Sequence, residues 1–307
     1  MRYIGSHLSL TAPDYFLGTV KKALSLGENT FMFYTGAPQN TIRLPLSALK
    51  IEEGKQLWLS SGHSLNHLVI HAPYIINPAS MKPNTREIAI EMLAKELDRA
   101  EAFGVPYLVL HPGSDVDEIG DAAFTETAKA LDLALESSSS KNTLICLETM
   151  AGKGREIGRT FDAIATLRAR SAYPDRLGVC LDTCHINDAG YPVANVDQVL
   201  DEFDRIIGLN HLKVIHLNDS KNPMGSHKDR HENIGYGTLG FETLEKWFKH
   251  PKLEGVPFEL ETPWLGKILP YRKEIEMLRS GQYETGWRET LIASESLLSA
   301  PDKSPNP

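Results

Sequence analysis

Eight short apolar segments recur along the chain, and their spacing limits the folds that it can adopt. They are RYIGSH (2–7), TFMFYT (30–35), HLVIHA (67–72), YLVLHP (107–112), TLICLE (143–148), GVCLDT (178–183), LKVIHL (212–217) and PFELET (257–262). Each has the length of a strand and is rich in β-branched or aromatic residues, as expected of strands buried on both faces. Successive segments start roughly 30 to 45 residues apart, a spacing that leaves room for a helix and two loops.

The segments between these strands show helical periodicity. Residues 86–103 carry an apolar face, and Gly104 follows where a helix C-cap is expected. The apolar positions of that face are Ile90, Leu93, Leu97 and Ala100. Residues 121–136 and 195–207 repeat the pattern, and Asn195 suits the N-cap of the latter. Eight strands alternating with helices predict an α/β fold, the (β/α)8 TIM barrel, with an open doubly wound sheet as the alternative.

No linker divides the chain, so the sequence predicts a single barrel domain over residues 1–299. Residues 288–298 suit a closing helix, and the Pro-rich residues 300–307 are expected to be a disordered tail. The sequence contains no apolar run long enough to span a membrane, and its N-terminus lacks the features of a signal peptide. Three cysteines do not make a disulfide framework, which favours a reducing, cytoplasmic location.

Side chains that can bind metals stand at or near the C-terminal end of six of the eight segments. These six are His71, His111, Glu148, Asp182, His216 and Glu261. In a barrel the C-terminal strand ends share one mouth, and active sites are built there. A single histidine or acid at such a position is more simply a hydrogen-bonded core residue or a helix cap. Six together would bury ionisable groups at high cost unless cations offset their charge.

Three further candidates, His185, Asp229 and His231, are expected in loops beside that mouth. Imidazole and carboxylate ligands without thiolate suit zinc, manganese or iron, with zinc favoured for hydrolysis. These three residues could complete one metal site, and the other six a two-metal site with one bridging carboxylate. Paired metals are the usual machinery for attack on a phosphodiester by a metal-activated hydroxide.

The stretch GVCLDTCH (178–185) contains two thiols as well as Asp182 and His185. Cys180 should share a strand face with Asp182, whereas Cys184 lies in the following turn. Neither has a partner at zinc-finger spacing, because Cys146 is the one other cysteine. We therefore interpret the thiols as small packing residues.

These residues lie within a series of motifs. In chain order the motifs are YIGSHLS, HAPYIIN, LVLHPGS, LETMAGKG, GVCLDTCH, HLNDSK, DRHENIG and LETP. The chain resembles the endonuclease IV type of apurinic/apyrimidinic endonucleases, within the xylose isomerase-like barrel superfamily. The resemblance runs from Tyr3 to Glu261, and the HPGS, LDTCH, HLNDS and DRH blocks together make it specific.

The resemblance implies a barrel with three zinc ions at its mouth, with manganese or iron substituting in part. The first set of ligands is His71, His111 and Glu148. The second set is Glu148, which bridges, with Asp182, His216 and Glu261. The third set is His185, Asp229 and His231. Glu148 and Glu261 are also expected to be catalytic. The implied reaction belongs to base excision repair and is of the deoxyribonuclease IV type. It hydrolyses the phosphodiester 5′ to an abasic site in duplex DNA, leaving a 3′-hydroxyl and a 5′-deoxyribose phosphate. Removal of blocking groups from 3′ ends is implied as well.

The resemblance also implies recognition of DNA by shape, with the abasic nucleotide flipped into the metal pocket. Tyr74 matches a tyrosine that inserts into the base stack, although it could instead pack at the barrel rim. Arg230 matches a DNA-contacting arginine, and its alternative is a salt bridge to a neighbouring acid. Some relatives carry an arginine wedge in the loop after the second strand, and the equivalent position in this chain is near Gln39. We expect Gln39 or Asn40 to take that place, with Arg43 supplying charge.

The formal net charge of −8 argues against a generic nucleic-acid binder. Three dications would add six positive charges, so the sequence remains compatible with duplex DNA as the partner of a monomeric enzyme. A sugar isomerase or epimerase on the same barrel is the main alternative, and the third set distinguishes it. A non-catalytic DNA-binding barrel would be expected to have a broken ligand set, whereas all nine positions are filled here.

Overall fold

The computed structural model describes the backbone of residues 1–298 and the side chains through residue 294. Eight parallel strands form a closed barrel in the order β1-β10-β7-β6-β5-β4-β3-β2. The barrel strands are β1 (Tyr3–Leu8), β2 (Met32–Phe33), β3 (Val69–His71), β4 (Tyr107–Leu110), β5 (Leu144–Glu148), β6 (Leu177–Asp182), β7 (Leu212–His216) and β10 (Pro257–Leu260). Two short strands outside the barrel, β8 (Asp219–Ser220) and β9 (His231–Glu232), pair antiparallel. The predicted TIM barrel is confirmed, and each of the eight apolar segments overlaps one of its strands.

Helices surround the barrel and connect its strands. They are α1 (Tyr15–Leu26), α2 (Ile51–Ser60), α3 (Pro83–Phe103), α4 (Asp121–Ser137), α5 (Phe161–Arg170), α6 (Thr183–Ala189), α7 (Val196–Ile206), α8 (Phe241–Lys249), α9 (Tyr271–Ser280) and α10 (Trp287–Leu298). The predicted helices over 86–103, 121–136, 195–207 and 288–298 correspond to α3, α4, α7 and α10. Gly104 ends α3 in the left-handed conformation, φ 71°, and its N–H bonds back to the helix, as a C-cap glycine does.

Expectations near two helix ends need correction. Asn195 precedes α7 but does not cap it, because its side-chain amide donates to Gln198 Oε1 at 2.9 Å and makes no capping bond. Cys184 and His185 lie inside helix α6 rather than in a turn and a loop, because the helix begins directly after β6 at Thr183.

A buried layer inside the barrel fixes the direction of the side chains above it. The layer takes one residue from each of β2 to β7. These residues are Met32, Val69, Val109, Cys146, Cys180 and Val214. Alternate side chains of a strand point to the same face, so the residue two positions further on points to the same interior and stands nearer the C-terminal mouth. In β3 to β7 that step reaches a predicted metal ligand every time.

Within residues 1–298, no helix has the length and apolar character needed to cross a membrane. The predicted tail, residues 300–307, lies outside the described residues. The larger hydrophobic core fills the space between the barrel and the helices, with fully buried side chains such as Phe16, Phe103, Phe161 and Trp247. Burial of such a side chain contributes about 2 kcal/mol to the stability of the scaffold that holds the mouth.

Candidate metal centre

Glu148 lies at the centre of a cluster of histidines at the barrel mouth. Its Oε2 is 3.2 Å from His71 Nε2 and 3.1 Å from His111 Nε2. Its Oε1 is 3.0 Å from His216 Nδ1 and 3.4 Å from His185 Nδ1. The carboxylate is 1% exposed, so both of its oxygens face imidazoles rather than water. The three residues of the first set thus meet at the ends of three neighbouring strands.

The second set extends from Glu148 across the mouth to β10. His216 Nδ1 is 3.1 Å from Glu261 Oε2 and 3.9 Å from Asp182 Oδ2, and all three join Glu148 within ligand distance of one another. Asn218 ties the two acids together. Its Nδ2 donates to Asp182 Oδ2 at 2.7 Å and to Glu261 Oε2 at 3.4 Å, while its Oδ1 accepts from the backbone N–H of Glu261 at 2.8 Å.

The third set gathers around Asp229. Its Oδ1 is 3.1 Å from His185 Nε2 and 3.5 Å from His231 Nε2. The set is continuous with the second, because Asp182 Oδ2 is 3.6 Å from His231 Nε2 and Asp182 Oδ1 accepts the backbone N–H of His185 at 2.7 Å. The nine predicted ligands therefore form one connected cluster of three overlapping groups.

The hydrogen bonds of three histidines determine which ring nitrogen faces the cluster. The Nδ1 atoms of His71, His185 and His231 lie 2.7, 2.9 and 3.3 Å from the backbone carbonyls of Ala72, Thr149 and Glu261. A carbonyl can only accept, so Nδ1 carries the proton and donates it. Each Nε2 then offers its lone pair to the cluster, as metal-ligating histidines do.

The charges of the cluster depend on one another. Burial opposes ionisation of Glu148, but the surrounding imidazoles, His216 and His111 foremost, hold the pKa of this carboxyl well below its usual range. Burial likewise opposes protonation of His185, yet Asp182, Asp229 and Glu148 raise its pKa well above the ordinary value. The carboxylates thus require positive charge beside them, from protonated imidazoles or from cations.

An unsatisfied atom in the third set supports a cation rather than protons alone. His231 Nε2 is buried, has no hydrogen-bond partner among the described residues, and faces the carboxylates of Asp182 and Asp229. Buried polar atoms without partners are rare in folded proteins, and a bound ion can supply the partner that such an atom lacks. The donor set of imidazole and carboxylate is the one that zinc and similar divalent metals prefer.

The comparison with known proteins decides the family. The sequence profile of xylose isomerase-like TIM barrels matches residues 20–281. A probable endonuclease 4 from Ureaplasma parvum is 50% identical over 282 residues, which cover 90% of this chain and 93% of the relative. The chain belongs to the endonuclease IV family.

Solved structures agree with this assignment. Endonuclease IV from Thermus thermophilus superposes with a TM-score of 0.80 at 32% identity, covering 91% of this chain and 98% of that one. A D-tagatose 3-epimerase-like protein superposes with a TM-score of 0.67 at 19% identity, covering 96% of this chain and 99% of that one. The second likeness is one of fold alone.

In this endonuclease IV family member, the side chains predicted to contact DNA stand on the rim of the mouth. Tyr74 is 55% exposed, so it is not packed into the rim. Arg230 and Gln39 are exposed as well. Among the described residues Arg230 has no ion-pair partner, so the alternative of a salt bridge is not realised.

Arg43 does not supply charge to the DNA-facing surface, contrary to the expectation from the sequence. Its side chain is 7% exposed, and Nε lies 2.6 Å from Oε1 of the fully buried Glu96. The Nη1 group donates to the carbonyls of Ala37, Asn40 and Ile42. The guanidinium therefore stabilises its own loop from inside. Its charge is already neutralised by Glu96, so it is not available to DNA.

A cleft of about 560 Å³ adjoins the second set on the β1 side of the mouth. Its lining includes His7, Tyr34, Glu261 and Trp264. His7 Nδ1 is 3.5 Å from Glu261 Oε1, which brings this histidine next to a predicted ligand. The cleft gives a small molecule a route to the edge of the cluster.

Two residues that organise the centre, Asn218 and Asp188, were not predicted from the sequence. Asn218 is two positions after His216 in the HLNDS block, so the alternation of the strand was the signal that could have revealed it. Asp188, one turn after His185 in α6, is fully buried, and its partners other than the adjacent Asn187 lie more than 30 residues further along the chain. No local pattern points to that role.

Proposed function

We propose that this protein is a DNA-repair endonuclease that hydrolyses the phosphodiester on the 5′ side of an abasic site in duplex DNA. The products are a 3′-hydroxyl and a 5′-deoxyribose phosphate, and removal of 3′ blocking groups is proposed as a second activity of the same site. The observation that carries the proposal is the convergence of nine imidazole and carboxylate side chains in one mouth of an endonuclease IV family barrel.

The residues present fit three zinc ions, which manganese or iron could replace in part. The first, second and third sets would each hold one ion, and Glu148 would be shared by the first two. The unpaired Nε2 atom of His231 and the connected carboxylates support this assignment. When bound, the ions would stabilise charge on the phosphate and lower the pKa of an attacking water.

The protein's own groups then have distinct tasks. Glu148, buried between four histidines, fixes the distance between the first and second sets. Glu261 has a side chain 16% exposed and borders the cleft, so it is the acid best placed to orient the attacking water through Oε1. His7, beside that oxygen, limits the directions from which water can approach it.

DNA recognition is proposed to depend on the exposed rim. Tyr74 and Gln39 would enter the duplex at the lesion, where a missing base has removed stacking and pairing and makes flipping least costly. The adjoining cleft would receive the extruded sugar. Arg230 lies between two proposed ligands in sequence, so a phosphate that it binds would be directed to the third set. Binding should weaken as salt rises.

Incision of a defined duplex tests the proposal. The substrate is a labelled duplex with one tetrahydrofuran abasic site, incubated with the purified protein without added magnesium. We expect cleavage 5′ to the lesion and three zinc ions per chain by mass spectrometry. His111→Ala and Glu148→Ala should abolish incision. His63→Ala is the matched control, because His63 precedes β3 at the opposite end of the barrel and packs on Trp58.

The outcomes separate the competing functions. Three bound ions without incision would show that the nuclease assignment is wrong. One ion per chain, with turnover of a ketose, would favour the sugar isomerase that shares this fold. Loss of activity in His63→Ala as severe as in His111→Ala would mean that the variants report folding rather than catalysis.

A further inference from the structure

The long segment after β7, residues 218–240, carries two proposed ligands of the third set on little regular structure. We name it the β7 loop. It contains only the two-residue strands β8 and β9. Asp229 has a left-handed backbone, φ 55°, a conformation that non-glycine residues adopt uncommonly. Something outside the loop must therefore hold Asp229 and His231 opposite His185.

Asp188 of helix α6 makes the contacts that hold this part of the loop. Its Oδ1 accepts the Ser220 hydroxyl at 2.8 Å, and its Oδ2 accepts the Asn222 side-chain amide at 3.1 Å and the backbone N–H of Asp229 at 2.9 Å. Its carbonyl accepts the backbone N–H of His227 at 3.0 Å. One residue thus binds both ends of the segment 220–229.

The neighbouring Asn187 reinforces the same contact. Its Nδ2 donates to Asp188 Oδ1 at 3.0 Å and to the carbonyl of Asn222 at 3.1 Å. Its own carbonyl accepts the N–H of Gly225 at 2.9 Å. The donors to the Asp188 carboxylate are all neutral, and the residue is fully buried, so no bulk water can replace a lost bond.

We infer that Asp188 is a positioning residue for the third metal set, an inference that rests on the proposed function. Asp188 follows His185 by three residues, so one turn of α6 carries one ligand and the anchor for the other two. A rigid helix therefore sets the distance from His185 to Asp229 and His231. Groups that orient metal ligands in this way typically alter metal affinity by about 10- to 100-fold when they are removed.

Asp219 provides a matched comparison within the same loop. It is also fully buried, and its carboxylate accepts the backbone N–H groups of Gly235, Gly237 and Leu239. The segment that it holds, residues 235–240, carries no proposed ligand. A carboxylate that merely stabilises the loop should behave like Asp219, whereas a positioning residue should act on the third ion.

Zinc affinity distinguishes the two cases. The apo forms of the full-length parent, Asp188→Asn, Asp188→Ala, Asp219→Asn and His231→Ala would be titrated with zinc against a chromogenic chelator. We expect the parent to bind three ions. Both Asp188 variants should bind the third ion about 10- to 100-fold more weakly. His231→Ala should lose that ion altogether, and Asp219→Asn should keep all three affinities.

Incision measured against zinc concentration adds a second readout. Excess zinc should restore incision of the abasic duplex in the Asp188 variants, because their ligands are intact, but not in His231→Ala. If Asp188→Ala does not fold, the isosteric Asp188→Asn carries the test. Unchanged affinity for the third ion in Asp188→Asn, with the parent binding three, would overturn the inference and leave the proposed function standing. A parent that binds no third ion would overturn both.

Discussion

Two loops at the barrel mouth are each held by buried carboxylates, but the charges of the two arrangements differ. The β2 loop, residues 34–43, contains Arg43, and this cation pairs with Glu96 of α3. The β7 loop is held by Asp188 and Asp219, whose carboxylates accept only neutral donors. The Arg43–Glu96 pair is therefore neutral, whereas Asp188, which accepts the backbone N–H of Asp229, leaves a negative charge beside the third set.

This difference in charge corresponds to a difference in the side chains that the two loops carry. The β7 loop directs Asp229 and His231 inward, where uncompensated negative charge favours a divalent cation. The β2 loop contributes no proposed ligand and presents Gln39 outward. We infer that the β7 loop fixes the geometry of the third set, whereas the β2 loop fixes the shape of its own exposed tip. Variants in the two loops should consequently change different measurements, metal content in one and DNA binding in the other.

The largest effect is expected beneath both loops, at Glu148. Glu148→Gln keeps the volume of the side chain but removes the charge that faces four histidines. We expect incision to fall to background and the two ions that share Glu148 to be lost first, since the third set does not include this residue. Zinc analysis together with the incision assay checks this. Retention of all three ions would show that Glu148 does not bridge.

The next effect separates the two loops directly. Glu96→Gln leaves Arg43 buried without an anion, and breaking a buried ion pair costs about 3–5 kcal/mol of unfolding free energy. Urea denaturation should report that loss. Because the β2 loop would also be less ordered, the KM for abasic duplex should rise while kcat and zinc content change little.

An exposed ion pair is the control for Glu96→Gln. Lys21 pairs with Asp14 on the surface, and Lys21→Met should change stability by less than about 1 kcal/mol. Glu96→Gln should not lower the zinc content as the Asp188 variants do. A comparable fall would contradict the assignment of metal binding to the β7 loop and of DNA binding to the β2 loop.

The barrel and most of the metal centre were predictable because their signals are local. Strand-length apolar segments at regular spacing specify the fold, and metal-binding residue types at or near the ends of six of the eight segments specify the mouth. The anchors were not predictable for the opposite reason. Arg43 looked like a free surface cation because its partner, Glu96, lies on a helix 53 residues away. Asp188 could not be identified from the sequence either, because its partners in the β7 loop come close to it only in the folded chain.

A third buried carboxyl group, that of Glu274, also holds the β7 loop, and its contribution to stability depends on pH. Glu274 of α9 accepts the N–H of Ile234 and the amide of Asn233, both in the β7 loop, and the Thr262 hydroxyl. Burial raises the pKa of Glu274 to about 7, despite these hydrogen bonds. The folded protein thus holds this proton more tightly than the unfolded chain. The resulting stabilisation is complete below the ordinary carboxyl pKa and is lost as pH rises through about 7.

Glu274→Gln removes that dependence. Relative to the variant, the parent should lose up to about 3 kcal/mol of unfolding free energy as pH rises from weakly acidic to slightly above neutral. Denaturation of the two proteins should be measured at each pH and the two free energies of unfolding subtracted. The contribution of the histidine cluster then cancels, because both proteins contain it. Parallel curves across this pH range would mean that Glu274 titrates normally.

The smallest effects are expected on the affinity for DNA, from residues at the tips of the two loops. Gln39→Ala removes at most one or two hydrogen bonds, so the Kd for abasic duplex should rise about 2- to 10-fold. Gln39 is neutral, so the slope of log Kd against log salt should not change. Arg230→Gln in the β7 loop should weaken binding similarly, but it should also lower that slope by about one, as the loss of one phosphate contact does. Fluorescence anisotropy over a salt series measures both quantities. Equal slopes in the two variants would mean that Arg230 contacts no phosphate, and that the cationic tip of the β7 loop serves the metal site alone.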